Sequence, residues 1–112
     1  MLTALLFAAL QAAAPAPQSP PEPAGARAGR AWGDCVKARI DARMRADVAP
    51  NALVTEAFAQ CAAEEEAIRA AIAAERGEEV ARLNVERIRS GGRQLFLAYI
   101  ERARGQSADQ PS

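Results

Sequence analysis

Histidine is absent from the chain. With it go the commonest general acid–base side chain and the commonest metal ligand. Lysine is nearly absent too: of the 14 basic residues only Lys37 is a lysine, and the others are arginines. Aromatic residues make up 4% of the chain, namely Trp32, Tyr99 and the phenylalanines Phe7, Phe58 and Phe96. Charge of either sign has no surplus, because 14 acidic residues balance the 14 basic ones. A neutral chain lacks the basic excess that neutralises phosphates, which excludes a general nucleic-acid binder. No phosphate-cradling loop is present, since Gly91-Gly92 has neither the spacing nor the lysine of one. Ser19, Ser90, Ser107 and Ser112 have no histidine to activate them. These absences exclude a catalytic set, and no resident metal or cofactor is expected.

What is present is alanine, which supplies much of an apolar content of 50%. Alanine favours helix because ordering it costs no side-chain entropy. It also buries little area, so the core must be thin. With 112 residues the chain holds one domain at most. A domain of this size buries only about 60–65% of the surface its unfolded chain exposes. A covalent staple is therefore expected, and two cysteines are available.

Residues Met1–Ala14, MLTALLFAALQAAA, carry an apolar run from Ala4 to Leu10 followed by small residues. That is the pattern of an export signal, and it is too short to span a bilayer, which takes about 20 residues. Ala12-Ala13-Ala14 has the small-x-small cleavage pattern, but Pro15 would follow the cut. Cleavage is therefore placed anywhere between residues 12 and 26. The stretch from Pro15 to Ala26 holds five prolines in 12 positions. Proline fixes φ and cannot donate a backbone hydrogen bond, so residues 15–30 read as an extended linker.

A helical domain is expected over residues 31–104. Trp32, Val36, Ile40, Met44 and Val48 fall every fourth residue, which keeps them on one helical face from about Ala31 to Val48. Lys37 with Asp41, and Arg43 with Asp47, are four apart and suited to ion pairs on the opposite face. Pro50 disfavours helix at Ala49, and Asn51 is placed to cap the next segment. That segment, about Ala52–Glu75, carries Val54, Phe58, Cys61, Ile68 and Ile72, widened by Leu53 and Ala57 and interrupted by Glu65. Val80 and Leu83 stay in phase with Ile72, so the helix is expected to bend at Gly77 and continue into a third segment. Ser90-Gly91-Gly92 offers two outcomes, a new capped helix or one unbroken face through Ile88, Leu95 and Tyr99. Gly105 and a polar tail over residues 105–112 are expected to end the order.

Cys35 stands 12 residues before Asp47, and Cys61 stands 10 residues after Asn51. At 1.5 Å per residue these offsets are roughly 18 and 15 Å from the intervening turn. In an antiparallel hairpin both sulfurs then lie at nearly the same height, and both lie on apolar faces. Small neighbours such as Ala38, Ala57 and Ala62 permit the close approach a disulfide requires. In the chain-entropy view, closing this loop of about 27 residues stabilises the fold by about 3.5 kcal/mol. The spacing is not C-x-x-C and no histidine completes a metal set, which argues for a structural bridge. The fold expected is all-α: an antiparallel helical hairpin with a third helical segment and one disulfide, Cys35–Cys61.

Trp32, Cys35, the spacing to Cys61 and the run Glu64-Glu65-Glu66 resemble small Ala/Arg-rich exported proteins of GC-rich Gram-negative bacteria. The resemblance covers about residues 32–104 and implies a periplasmic or secreted location, but it carries no activity. The Leu-Thr-x-x-Gln repeats of small helical periplasmic chaperones are absent. Glu64, Glu65 and Glu66 are consecutive and fan around a helix, so they read as a solvated face.

Two features are candidates for binding. One is the basic run Arg82, Arg87, Arg89 and Arg93, opposed only by Glu86. The other is the apolar cluster Leu95, Phe96, Leu97, Tyr99 and Ile100, of which Phe96 and Tyr99 are the leading contact residues. This cluster must meet the hairpin, a second copy or a partner. The reading is a non-enzymatic periplasmic protein that binds a protein partner or itself. The alternative is a peripheral protein using the arginines and the apolar cluster at an anionic membrane surface.

Overall fold

The computed structural model describes residues 22–109. The export signal expected at residues 1–14, and most of the linker after it, lie outside the described residues. Among the described residues four helices follow in order: α1 (Ala24–Ala42), α2 (Pro50–Gln60), α3 (Ala62–Arg76) and α4 (Glu78–Asp109). The expected all-α fold, with a disulfide-linked antiparallel hairpin and a third helical layer, is the observed one.

α1 begins at Ala24, seven residues before the expected Ala31. Pro23 is the last proline of the leader, and its carbonyl already accepts from the N–H groups of Ala26 and Arg27 at 3.0 and 3.3 Å. The residues that follow are mostly alanine and arginine, which favour helix, with Gly25 and Gly29 among them. A Cβ added to Gly25 would lie 3.3 Å from Ile72, so the first turn of α1 sits directly on α3. Residues 24–30 are thus helix and not linker.

α1 ends at Ala42, and the chain turns over residues 43–49. The turn carries Arg43 away from Asp47; its guanidinium instead meets Glu56 at 3.4 Å. Ala49, not Asn51, occupies the N-cap of α2, with Pro50 in the first turn and no side-chain cap. Proline suits that position because its missing N–H would be unpaired there anyway. The break between α2 and α3 falls on Cys61, whose φ of −106° and ψ of 26° end one helix and start the next. The helical path nearly continues, because Glu65 N–H still donates to the Cys61 carbonyl at 3.1 Å. α2 and α3 therefore form one kinked rod.

Gly77 reverses the chain. Its φ of +94° is a conformation that side-chain-bearing residues rarely adopt. Instead of bending and continuing, the helix stops and α4 packs back along α3. The in-phase spacing of Val80 and Leu83 misled, and Leu83 remains 47% exposed. Glu78 and Glu79 in the first turn of α4 favour the helix dipole and mark a new start. From there α4 runs unbroken through Ser90-Gly91-Gly92 and on to Asp109, past the end expected near Arg104.

The rod of α2 and α3 packs against both α1 and α4. Cys35 opposite Cys61 and Gly25 opposite Ile72 set α1 antiparallel to the rod. Arg89 at Glu65 and Arg93 at Thr55 set α4 antiparallel to it as well. α1 and α4 consequently run in the same direction, side by side. The core comprises Trp32, Val36, Ile40, Leu53, Val54, Ala57, Cys61, Ile68 and Ile100. It draws on every face read as apolar in the sequence, with Phe58, Ile72, Met44 and Val48 half-buried at its edges. No described helix is long and apolar enough to cross a membrane.

Candidate functional site

α1 and α4 meet through side chains over the central part of the molecule. Trp32, 5% exposed, inserts between them. Its ring packs on Phe58 and Phe96 at centroid distances of 5.1 and 6.2 Å, in tilted and edge-on geometries favourable to aromatic pairs. Its six-membered edge lies on Gly92, where an added Cβ would stand 2.8 Å from Trp32 Cη2. Farther along, the Tyr99 hydroxyl donates to the Asp41 carboxylate. Lys37 donates to the other oxygen of Asp41 at 2.9 Å and lies 5.3 Å from the Tyr99 ring centroid.

Outside the line of Trp32, Phe96 and Tyr99, the two helices leave an open groove of about 440 Å³. It is lined by Gly29, Trp32, Gly33 and Lys37 on α1 and by Ile88, Gly92, Leu95, Phe96 and Tyr99 on α4. Apolar carbon dominates this surface, and Lys37 is the one charged residue in the lining. Leu95 forms the outer lip and is 74% exposed, the largest exposure of any large apolar side chain among the described residues. Trp32 Nε1 is buried without a hydrogen-bond partner.

The electrostatics at the Lys37 end have identifiable causes. The Asp41 carboxyl is held below its ordinary value chiefly by the hydrogen bond from Tyr99, with Lys37 adding to it and burial opposing. Lys37 is raised above its ordinary value, first by its hydrogen bond to Asp41 and then by Tyr99.

The structure separates the residues singled out in the sequence. Cys35 and Cys61 are joined, with their Cα atoms 6.1 Å apart. Glu64 lies beside them, within 4.8 Å of both sulfurs, but sulfurs bonded to each other are not thiolate ligands. The basic run does not act as one surface. Arg82 pairs with Glu79 and Glu86 at 2.7 and 2.9 Å. Arg89 pairs with Glu65, the residue that interrupts the apolar stripe of the rod. Arg93 donates to the Asn51 carbonyl and the Thr55 hydroxyl and covers the Phe58 ring. Only Arg87 of the four is exposed with no ion pair among the described residues. Within the apolar cluster, Ile100 is buried and Phe96 and Tyr99 pack inward. Leu95 alone turns out to solvent.

Sequence reasoning missed the α1 side of this groove. Gly29 and Gly33 are four apart in a helix interior, where glycine is unfavourable, but they lay in or beside the expected linker. It also missed Arg104, which donates to the carbonyls of Met44, Val48 and Ala46 at 3.0, 2.8 and 3.3 Å. No local pattern announces a contact that spans 60 residues.

No protein-family model matches the chain, and no curated protein or solved structure matches it significantly. The function must be argued from the groove itself.

Proposed function

We propose that this chain is a non-enzymatic, exported binding protein, at work in the periplasm or outside the cell, that receives its partner in the groove between α1 and α4. One observation carries the reading: an open, apolar, concave surface is lined by Trp32, Phe96 and Leu95, the last being the most exposed large apolar side chain among the described residues. Pockets that bind ligands combine an apolar lining with a few placed polar groups. Here Lys37 and Tyr99 are those groups. The signal-like N-terminus and the disulfide support an oxidising compartment. The lack of histidine and of any activated nucleophile supports binding without chemistry.

The test uses the full chain carrying a C-terminal tag, expressed in a Gram-negative host and purified gently from the envelope. Native mass spectrometry should find a chain shortened at its N-terminus and two mass units light, carrying an added mass. The same preparation of Gly33→Leu, which fills the groove, should lack that mass. A full-length reduced chain, or an added mass indifferent to Gly33→Leu, would reject the proposal.

A further inference from the structure

Glu64, Glu65 and Glu66 are consecutive, yet the fold gives them different surroundings. Glu65 pairs with Arg89, and Glu66 pairs with Arg69. The side chain of Glu64 has no ion pair or hydrogen bond among the described residues. It is half-buried, and what lies in its reach is sulfur. One of its carboxylate oxygens, Cys35 Sγ and Cys61 Sγ all lie within 4.8 Å of one another. Cys61 and Glu64 stand three apart at the start of α3, so one face of the helix presents both. Cys35 comes from α1, its Cα 6.1 Å from that of Cys61. None of the three lines the groove between α1 and α4.

Sulfurs bonded to each other ligate nothing, but every chain passes through a dithiol form. The bridge closes only after synthesis, and only where conditions are oxidising. With the bridge open, each sulfur turns freely about its own Cα–Cβ bond. A tetrahedral zinc ion sets its ligand atoms about 3.3–3.8 Å apart, a spacing that these three atoms can reach. Two thiolates are the soft donors that zinc selects. Three protein ligands with a fourth position toward solvent match the count of an open zinc site. Cys61 is fully buried, whereas Cys35 and Glu64 are half-buried, so an ion has a route in from one side. The lack of histidine argued against a metal set in the sequence. The fold supplies a carboxylate in its place.

We infer that the dithiol form of this protein binds one zinc ion through Cys35, Cys61 and Glu64. Each thiol releases its proton to solvent as its sulfur takes the ion, so two protons leave for each zinc bound. Closing the bridge later needs the same two sulfurs. A disulfide oxidant then takes one electron from each thiolate, the Cys35–Cys61 bond forms, the oxidant's own S–S bond breaks to two thiolates, and the zinc leaves. Ion and bridge are thus alternative ties between α1 and the rod.

The experiment reduces the purified full chain with a phosphine, removes the reductant without air and titrates the protein with cobalt(II), a coloured stand-in for zinc. Thiolate-to-cobalt absorption should grow to saturation at one ion per chain, and zinc should erase it. Two protons should be released per ion. The disulfide form should give no such absorption. Glu64→Gln should weaken the metal at least about tenfold, since even groups behind a ligand count for that much. Glu66→Gln, the same charge change one residue on, should leave affinity unaltered. Excess zinc should slow closure of the bridge by oxidised glutathione. If the reduced chain loses its helical circular dichroism, zinc should restore it, because binding and folding are then coupled.

Equal affinity in Glu64→Gln and wild type would overturn the inference. So would one ion held between two chains, which would assign the metal to thiolates of two copies. Absence of thiolate-to-cobalt absorption, closure of the bridge at one rate with and without zinc, or a reduced chain that stays unfolded with zinc present would overturn it as well.

Discussion

Gly92 is where Trp32 touches α4: a methyl group in place of its hydrogen would stand 2.8 Å from Trp32 Cη2 and 3.3 Å from Cζ3. Trp32 cannot retreat, because Phe58 and Phe96 hold its other sides. Gly92→Ala should therefore destabilise the protein despite the better helix propensity of alanine. Overpacking costs about 1–3 kcal/mol, against about 1 kcal/mol gained in propensity. Gly91→Ala is the control, since nothing lies near its Cβ position, and it should raise stability. Urea denaturation of the two variants should move the midpoint in opposite directions.

The Cys35–Cys61 bridge closes the hairpin of α1 and the rod over a thin core. Cys35→Ser and Cys61→Ser should each lower stability by about 3.5 kcal/mol. The double variant should lose little more than either single one, because one bond is lost in all three. Single variants that melt like the wild type would show that the bridge contributes nothing.

Asp41 joins α1 to α4 through Tyr99, and its carboxyl is depressed mainly by that hydrogen bond. A group depressed on folding contributes stability above its unfolded pKa, and that contribution is lost as pH falls through the folded value. The link should accordingly hold at neutral pH and weaken only below the ordinary carboxylate range. Carbon NMR titration of the Asp41 carboxyl should place its midpoint below the ordinary aspartate value of 3.8. Tyr99→Phe should move that midpoint up. An unmoved midpoint would show that the Tyr99 hydrogen bond does not set it.

Arg104 holds the turn between α1 and α2 by donating to three of its carbonyls. Arg104→Ala removes a half-buried guanidinium and leaves those acceptors to water, at a cost of about 1.5–3 kcal/mol. Arg104→Lys should recover only part of this, because an ammonium lacks the planar fork that reaches three acceptors. Hydrogen exchange in residues 43–49 and in the last turns of α4 should accelerate in both variants, more in Arg104→Ala. Unchanged exchange would show that the turn holds its shape without the arginine.

Much of the architecture was legible because it depends on short-range regularities. Trp32, Val36 and Ile40 recur with the helical period and are buried together. Cys35 and Cys61 lie at nearly equal distances from the turn, so a hairpin brings them nearly level. Lys37 and Asp41 are neighbours on any helix, and they pair. By contrast, the sign of φ at Gly77 has no periodic signature, and that sign alone separates a bent rod from a reversed chain. The start of α1 at Ala24 was hidden by the prolines before it and by the glycines within it, and its first turn rests on Ile72 across the interface.

The sequence by itself determined that this protein is helical, thinly cored, stapled once and without histidine. Those properties follow from composition and from spacing within a few turns, and they hold for any packing of the segments. Only the tertiary structure decided which arginines are spent on internal partners, which face of the Leu95–Ile100 cluster meets solvent, and that Gly29, Gly33 and Lys37 share one groove with it. Those outcomes depend on laying α4 beside α1 in a particular register. That register is set by contacts such as Trp32 on Gly92 and Tyr99 on Asp41, between residues about 60 positions apart. No rule of local periodicity reaches that far.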